Sequence, residues 1–497
     1  MAAPLLLAID QGTSGTKAIL VDGVGAIIAR GHAPVGETHP NPGWVEQDPI
    51  AIWHSVQRAV AVCLDGQDAG RVVAVGLSTQ RESIVMWDRI TGAPITPVIS
   101  WQDQRTAALC DEFRSPEVER LVRARSGLPL DPMFSAIKAR WLLQTHAGAM
   151  AAVRDGRAVI GTIDSWLLSR FSNDDPVIEV GNASRTQLLH VADVTWDPDL
   201  LEVFGVPAAV LPRLTRSTGP FPSTRGLAPV PDGTPVMAVM GDSHSALFAH
   251  GAFAPGQIKA TYGTGSSVMG LIARPDALHP GVCLTIGWQM DRPAFAAEGN
   301  IRATGAALRW MASILGMSVD AMTELGARSQ SRGAVLVPGF TGLGAPWWDR
   351  DAVGLLTNLS LDTTPAELAR AALEAVVHQV ADVVAVIGDN VGTVRDLFTD
   401  GGPSRNDALM QMQADLLGCT VHRSAAAELS ALGVAHMAGL AAGVWSEAAL
   451  RDLPRPRDTI LPRETGDDRA AQRAQWQAAI ARARSGLACR SATIETA

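Results

Sequence analysis

The sequence predicts an α/β protein of two large domains, on three observations: its length, its strand-turn-strand opening, and the return of that pattern about half the chain later. At 497 residues the chain exceeds what one hydrophobic core usually organises. Its composition, 47% hydrophobic and 18% charged with 47 Gly and 30 Pro, is that of a compact, loop-rich globular protein and not of a disordered chain.

The opening reads as a strand Leu5 to Ile9, a turn Asp10-Gln11-Gly12-Thr13-Ser14-Gly15-Thr16, a strand Lys17 to Val21, and a third strand Ala26 to Arg30. After Asp48-Pro49, the residues Ile50, Trp53, Val56, Ala59, Val60 and Cys63 recur at three- and four-residue spacing, which predicts a helix, and the apolar run Val72 to Leu77 predicts a strand. The second occurrence places an apolar strand Val236 to Met240 before Gly241-Asp242, then a strand Lys259 to Tyr262, the turn Gly263-Thr264-Gly265, and a strand Val268 to Ile272. This echo points to an internal duplication, with domains expected at 1–250 and 251–497. The second half is rich in helix: Pro365 to Ile387, Asn406 to Leu417, and an amphipathic helix near 468 to 485.

Charge and cysteine usage exclude several classes. A formal net charge of -9 argues against a protein that coats phosphate backbones, so no nucleic-acid partner is expected. Five cysteines, at 63, 110, 283, 419 and 489, form no C-x-x-C pair, which argues against a disulfide framework or a zinc site. The apolar start Leu5 to Ile9 is too short for a signal segment, and no apolar run approaches the ~20 residues of a membrane span, so a cytoplasmic protein without a membrane partner is expected.

Gly12-Thr13-Ser14-Gly15-Thr16 gathers successive backbone N–H groups and three hydroxyls in one tight turn, a concavity suited to phosphate oxygens. It is no Walker A loop, because the three lysines, 17, 138 and 259, follow Thr, Ile and Ile and not Gly. No G-x-G-x-x-G follows a strand. Asp10 at the strand's end suits Mg²⁺ held through water, and Lys17 just past the turn suits a phosphoryl group. Asp242, after an apolar strand, suits the acceptance of a proton from an attacking hydroxyl. Gly241-Asp242-Ser243-His244 with Asp276-x-x-His279 also resembles an esterase triad, but the two blocks lie close together in mid-chain instead of at opposite ends. Asp400-Gly401-Gly402-Pro403-Ser404-Arg405-Asn406, between a strand Leu397 to Thr399 and a helix, suits a flat nucleoside lying on backbone.

Together with Gly43-Trp44-Val45-Glu46-Gln47-Asp48-Pro49, these turns resemble the FGGY carbohydrate kinases, glycerol kinases above all. Further segments carry the resemblance along almost the whole chain: Thr79-Gln80-Arg81-Glu82, Trp101-Gln102, Gly161 to Leu167, Asn182-Ala183-Ser184-Arg185-Thr186, Phe340 to Pro346, and Ala431-Leu432-Gly433. Met133 to Leu142 fits the first family signature, with Ala139 smaller than usual, and the second, from Gly354, has Asn358 where glycine is customary.

The resemblance implies two actin-like ATPase (ribonuclease H-like) domains flanking a deep catalytic cleft, and a kinase using ATP and Mg²⁺ on a small polyol or sugar. It implies Thr13, Ser14 and Lys17 as one phosphate loop with Gly263, Thr264 and Gly265 as the other, and Gly305, Arg309, Gly402 and Asn406 beside base and ribose. It implies metal held by Asp10 and Asp242, substrate hydroxyls held by Arg81, Glu82 and Asp242, Trp101 as an apolar wall, and Asp242 as catalytic base. By analogy it also implies a dimer or tetramer. The chain departs from glycerol kinases at Met133, Ser243 and Ser267, where they carry tyrosine, glutamine and phenylalanine, and at Arg309, where they carry glutamine. The first three replacements enlarge the acceptor pocket. Glycerol therefore leads as expected substrate, with a larger one such as xylulose, another ketopentose or a tetritol as the alternative.

Overall fold

The computed structural model describes residues 4–172, 174–273, 275, 278–463 and 466–485; Asp276 and Cys489 lie outside the described residues. Two compact units are present. Unit 1 comprises Met1–Gly251, Leu284–Ala296 and Glu428–Arg455, and unit 2 comprises Ala252–Cys283, Ala297–Ala427 and Pro456–Ala497, so the chain passes between units more than once instead of at one boundary.

Unit 1 is built on a five-stranded sheet in the order Val236–Gly241, Val72–Thr79, Leu5–Gly12, Gly15–Val21, Ile27–Pro34. The last three form an antiparallel meander, and Val72–Thr79 and Val236–Gly241 run parallel to Leu5–Gly12. On one face lies the helix Pro49–Cys63, started by the Asp48 side chain accepting from the Ile50 N–H and by Pro49 in the first turn. Its Ile52, Trp53, Val56, Ala59, Val60 and Cys63 share one core with Leu5, Leu7, Ile9 and Leu20 of the sheet. The third strand extends to Pro34, past its expected end at Arg30, because Gly31 to Pro34 stay paired with Ala18 to Gly15 of the second strand; Gly31 lets the helix come close, since a Cβ there would stand 2.0 Å from the Ala59 carbonyl oxygen. The other face takes the helices Asp242–Ala249 and Leu429–Ala441. Small residues permit the approach, since a Cβ on Gly76 would stand 2.6 Å from the Val434 carbonyl oxygen.

Unit 1 also carries a four-stranded sheet of Glu46–Gln47, Val98–Ile99, Ile84–Asp88 and Ala158–Thr162, of which all but Glu46–Gln47 come between the fourth and fifth strands in the chain. Its own core joins Ile84, Met86 and Ile160 to Ile137, Leu142 and Leu143 of the helix Ser135–Thr145.

Unit 2 repeats the strand plan. Residues 297–301 of the strand Pro293–Ile301, then Ser266–Leu271, Gln257–Tyr262, Asp396–Gly401 and Thr420–Ser424, follow one another in its sheet, with Arg457–Ile460 added antiparallel at the edge. Gln257–Tyr262 is antiparallel to Ser266–Leu271 and parallel to Asp396–Gly401, which is parallel to Thr420–Ser424. In both units the order is third, second, first, fourth, fifth strand, the ribonuclease H-like plan of actin-like ATPases.

The helix Pro365–Val391, with a capping box of Thr364 and Glu367, spans 27 residues at mean hydropathy 1.6 in its most apolar window. This corrects the expectation that no apolar run approaches the length of a membrane span. Because 78% of that window is buried within the protein, its apolar character is that of a core helix. Cys63, Cys110, Cys283 and Cys419 are buried thiols.

Candidate functional site

In unit 1 the first Gly-Thr turn closes the hairpin between Leu5–Gly12 and Gly15–Val21. Three contacts fix it: Gln47 Nε2 donates to the Thr13 carbonyl at 2.6 Å, the Val35 N–H donates to the Ser14 carbonyl at 3.1 Å, and Trp101 Nε1 donates to Thr13 Oγ1 at 3.0 Å. Of the three hydroxyls expected in the turn, that of Thr16 instead meets Ser55 Oγ in the core at 2.6 Å, which leaves those of Thr13 and Ser14. Trp101 is 37% exposed, so its ring presents a face.

Asp10 lies within the first strand and accepts from Ser78 Oγ at 2.9 Å; Lys17, exposed, faces it in register across the hairpin. Burial, and then the charge of Asp242, push the Asp10 carboxyl up to about 6, against the lowering effects of Ser78 and Lys17. An Asp10 carboxyl whose ionisation is disfavoured by the neighbouring Asp242 charge is a fitting place for a hard divalent cation. Among the described residues no group of three or more His, Cys, Asp or Glu could hold a metal alone, so this pair suits Mg²⁺ that takes its remaining ligands from phosphates and water.

Strand Val72–Thr79 delivers Gln80, Arg81 and Glu82 at its carboxyl end. Arg81 Nε pairs with Asp242 Oδ1 at 3.2 Å, and Arg81 Nη1 donates to His244 Nε2 at 3.3 Å. Asp242 opens the helix Asp242–Ala249, where its Oδ1 accepts from the Ser243 N–H at 2.6 Å. Glu82 sits at φ 60°, a left-handed conformation that costs a non-glycine residue roughly 1–3 kcal/mol. The strain is offset by the buried Arg185, whose Nε donates to Glu82 Oε1 at 2.6 Å, and by Ser135 Oγ, which donates to the Glu82 carbonyl at 2.9 Å.

Met133 is placed through its backbone, since the buried Lys138 Nζ donates to its carbonyl at 2.6 Å. Burial pushes the Lys138 ammonium down to about 8, although Asp103, Glu82 and Asp131 favour its charge. Ser243 is half-buried beside Asp242.

In unit 2 the second Gly-Thr turn packs on the start of the helix Gly305–Ile314. The Gly263 N–H donates to the Gly265 carbonyl at 2.8 Å, the Gly305 N–H donates to the Gly263 carbonyl at 3.0 Å, and Arg309 Nη2 donates to Thr264 Oγ1 at 3.3 Å. Gly305 has to be glycine, since a Cβ would lie 2.5 Å from the Gly263 carbonyl oxygen. Gly402 is exposed with open space where a side chain would stand, and Asn406 caps the helix Asp407–Leu417 by accepting from the Leu409 N–H at 2.9 Å. Ser267 Oγ donates to Glu298 Oε1 at 2.9 Å.

Unit 1 thus gathers Asp10, Thr13, Ser14, Lys17, Arg81, Glu82, Trp101, Met133, Asp242 and Ser243, and unit 2 holds Gly263, Thr264, Gly265, Ser267, Gly305, Arg309, Gly402 and Asn406. The Asp276 of the esterase arrangement lies outside the described residues; His279 Nδ1 accepts from the Gly281 N–H at 2.9 Å, and His244 faces Arg81 and Thr285. Sequence reasoning gave no role to Ser78, His244, Arg185 or Glu298. Each acts on another side chain through folding, and no spacing in the sequence announces such a contact.

Known proteins match over the same extent. The FGGY family of carbohydrate kinases matches with its N-terminal domain at residues 5–249 and its C-terminal domain at 258–442. An apulose kinase of Pectobacterium atrosepticum is 42% identical over 491 residues, covering 97% of this chain and 99% of that protein. A glycerol kinase of Alkalilimnicola ehrlichii is 39% identical over 487 residues, covering 96% and 98%. The crystal structure of Plasmodium falciparum glycerol kinase with ADP superposes with a TM-score of 0.89 at 27% identity, over 97% of this chain and 98% of that one.

Proposed function

Since the chain belongs to the FGGY family of carbohydrate kinases and is therefore a kinase of that class, we propose that it transfers the γ-phosphoryl group of ATP to a terminal hydroxyl of a small polyol or ketose. The observation that carries this reading is the Arg81–Asp242 ion pair at 3.2 Å, with Glu82 next to Arg81 in the chain: one carboxylate able to take a proton beside two groups able to hold neighbouring hydroxyls.

In this reading Arg81 and Glu82 fix the acceptor and Asp242 takes the hydroxyl proton as the oxygen bonds to the γ-phosphorus and the bond to the β–γ bridging oxygen breaks, releasing ADP. Thr13, Ser14, Lys17 and the Gly263–Gly265 turn hold phosphate oxygens through N–H groups, hydroxyls and one ammonium. Asp10 and Asp242 would hold Mg²⁺, which when bound offsets negative charge on the phosphates. Gly305, Arg309, Gly402 and Asn406 border the nucleoside.

For the acceptor we favour a ketose larger than glycerol, supported by the small Ser243 beside Asp242, by Met133 and Ser267, and by the likeness to an apulose kinase. Glycerol is the second reading, favoured by Arg81, Glu82, Trp101 and Asp242 and by the glycerol kinase relatives. A panel of glycerol, tetritols, xylulose and apulose with ATP and Mg²⁺ decides: a glycerol kcat/KM far above all others removes the first reading, and no ADP from any acceptor removes both.

A further inference from the structure

Arg81 and Glu82 are adjacent in the chain, yet each is held from behind by a different partner. Arg81 Nη1 lies 3.3 Å from His244 Nε2, and Arg185 Nε lies 2.6 Å from Glu82 Oε1. Both partners are fully buried. A second set of contacts joins them. His244 Nε2 is 3.2 Å from Thr285 Oγ1, Thr285 Oγ1 is 2.9 Å from Ser184 Oγ, and Ser184 precedes Arg185 in the chain. Thr285 reaches this place because its segment is fixed within unit 1: the Leu284 N–H donates to the Gly127 carbonyl at 2.9 Å and the Ile286 N–H to Ser184 Oγ at 3.1 Å.

The chemistry of these groups orders the protons. A guanidinium only donates, so His244 Nε2 has to accept, which requires the neutral ring with its proton on Nδ1. Ser184 Oγ has its own acceptor, the Gly181 carbonyl at 2.7 Å, so its proton is directed away from Thr285 and the Thr285 hydroxyl is the donor between them or toward the ring. With one proton, the Thr285 hydroxyl donates to Ser184 Oγ or to His244 Nε2 and not to both, so the Arg81–His244 pair is the contact whose donor and acceptor are fixed.

We propose that His244 and Arg185 are positioning residues that hold the two acceptor-binding side chains Arg81 and Glu82 in one mutual geometry, coupled through Thr285 and Ser184. This rests on the reading that Arg81 and Glu82 bind the carbohydrate hydroxyls. Two neighbouring arms fixed in this way select acceptors by the spacing of adjacent hydroxyls, while ATP binding draws on other residues.

The test is steady-state kinetics of His244→Leu, Thr285→Val and His244→Gln beside the parent protein, with KM measured separately for the best acceptor and for ATP, and with thermal midpoints. Loss of an acceptor opposite a charged donor predicts a carbohydrate KM raised about ten- to a hundredfold in His244→Leu. A smaller rise is expected in Thr285→Val, an unchanged ATP KM in both, and recovery in His244→Gln, whose amide oxygen can accept. An unchanged carbohydrate KM in His244→Leu overturns the proposal. So does a parallel rise of both KM values with a lowered midpoint, which is the signature of a merely structural residue. If the parent phosphorylates no acceptor, the underlying reading fails and the proposal falls with it, an outcome seen in the parent arm alone.

Discussion

Thr261 donates its hydroxyl to Asp400 at 3.2 Å across two parallel strands, at the register position where, in unit 1, Ser78 donates to Asp10 at 2.9 Å. The duplicated plan has kept a hydroxyl and a carboxylate side by side at the entrance to each Gly-Thr turn and has exchanged the strands that carry them. The charges around them differ. In unit 2 the buried Lys259 donates to Thr261 at 2.8 Å, so an ammonium is built into the group, whereas the lysine in register with Asp10 is the exposed Lys17. On the proposed reading, Asp10 is the carboxylate that would hold an external cation.

A pH dependence follows from that difference. Asp10 has its carboxyl raised from 3.8 to about 6 in the fold, so its contribution to stability is complete below about 3.8 and is lost as pH rises through about 6. Without metal, Asp10→Asn is expected to melt at a higher temperature than the parent above pH 6, and the gap should close in acid. Stabilisation by Mg²⁺ with ADP should be lost in Asp10→Asn, and in the parent should fade as pH falls below about 6. Calorimetry across pH 4 to 8 checks both; equal Mg²⁺ responses at pH 5 and pH 8 would exclude Asp10 as a ligand.

Asp242→Asn preserves shape and removes only the capacity to take a proton. A positioned general base is worth about 10²–10⁴ in rate, so kcat should fall by that range while nucleotide binding, followed by the fluorescence of a labelled ATP analogue, remains. If turnover persists at more than a tenth of the parent's, another group takes the proton.

Arg185 is fully buried, and its guanidinium lies 5.2 Å from the Phe134 ring as well as against Glu82. Arg185→Met leaves the Glu82 carboxylate buried without its partner, which typically costs about 3–5 kcal/mol. Urea unfolding should show a loss of that order, together with a raised carbohydrate KM. Arg185→Lys should recover little, because a point charge cannot reproduce the planar fork.

The sequence made visible whatever is local. Gly12 to Thr16, Gly263 to Gly265 and Gly401-Gly402 stand in the chain as contiguous turns, and the strands around them differ from expectation only at their ends. What spacing could not reveal depends on chain segments that meet only after folding. Thr285 lies 41 positions from His244, Arg185 lies 103 from Glu82, and the helix Leu429–Ala441 fills the back of a sheet made from the first 241 residues. Thr16 illustrates the same limit on a smaller scale, because its hydroxyl belongs to the phosphate turn by position and to the core by its contact with Ser55.

Gly305→Ala tests the nucleotide side. The added methyl has 2.5 Å to the Gly263 carbonyl oxygen, so the second Gly-Thr turn has to move away from the helix that it packs on. Overpacking of this kind costs about 1–3 kcal/mol, and the same displacement should raise the ATP KM about tenfold or more. The carbohydrate KM should hold, since Arg81, Glu82 and Asp242 lie in unit 1. A variant with both KM values unchanged would show that the turn tolerates the shift and does not hold phosphate.

On the proposed reading, specificity can be moved at two positions, Ser243 and Met133. Ser243 follows Asp242 in the first turn of its helix, and Met133, whose backbone is fixed by Lys138, carries an unbranched thioether side chain. Restoring the residues that glycerol kinases carry, with Ser243→Gln and Met133→Tyr together, fills space and adds an amide that can bond a terminal hydroxyl. Differences of this size in a pocket discriminate by about 10- to 200-fold. The double variant should therefore raise the ratio of glycerol to ketose kcat/KM by about tenfold or more, mainly by rejecting the ketose. Competition assays with both acceptors present measure the ratio directly. A ratio that stays at the parent value would place the discrimination elsewhere, with Ser267 and its partner Glu298 the next pair to alter.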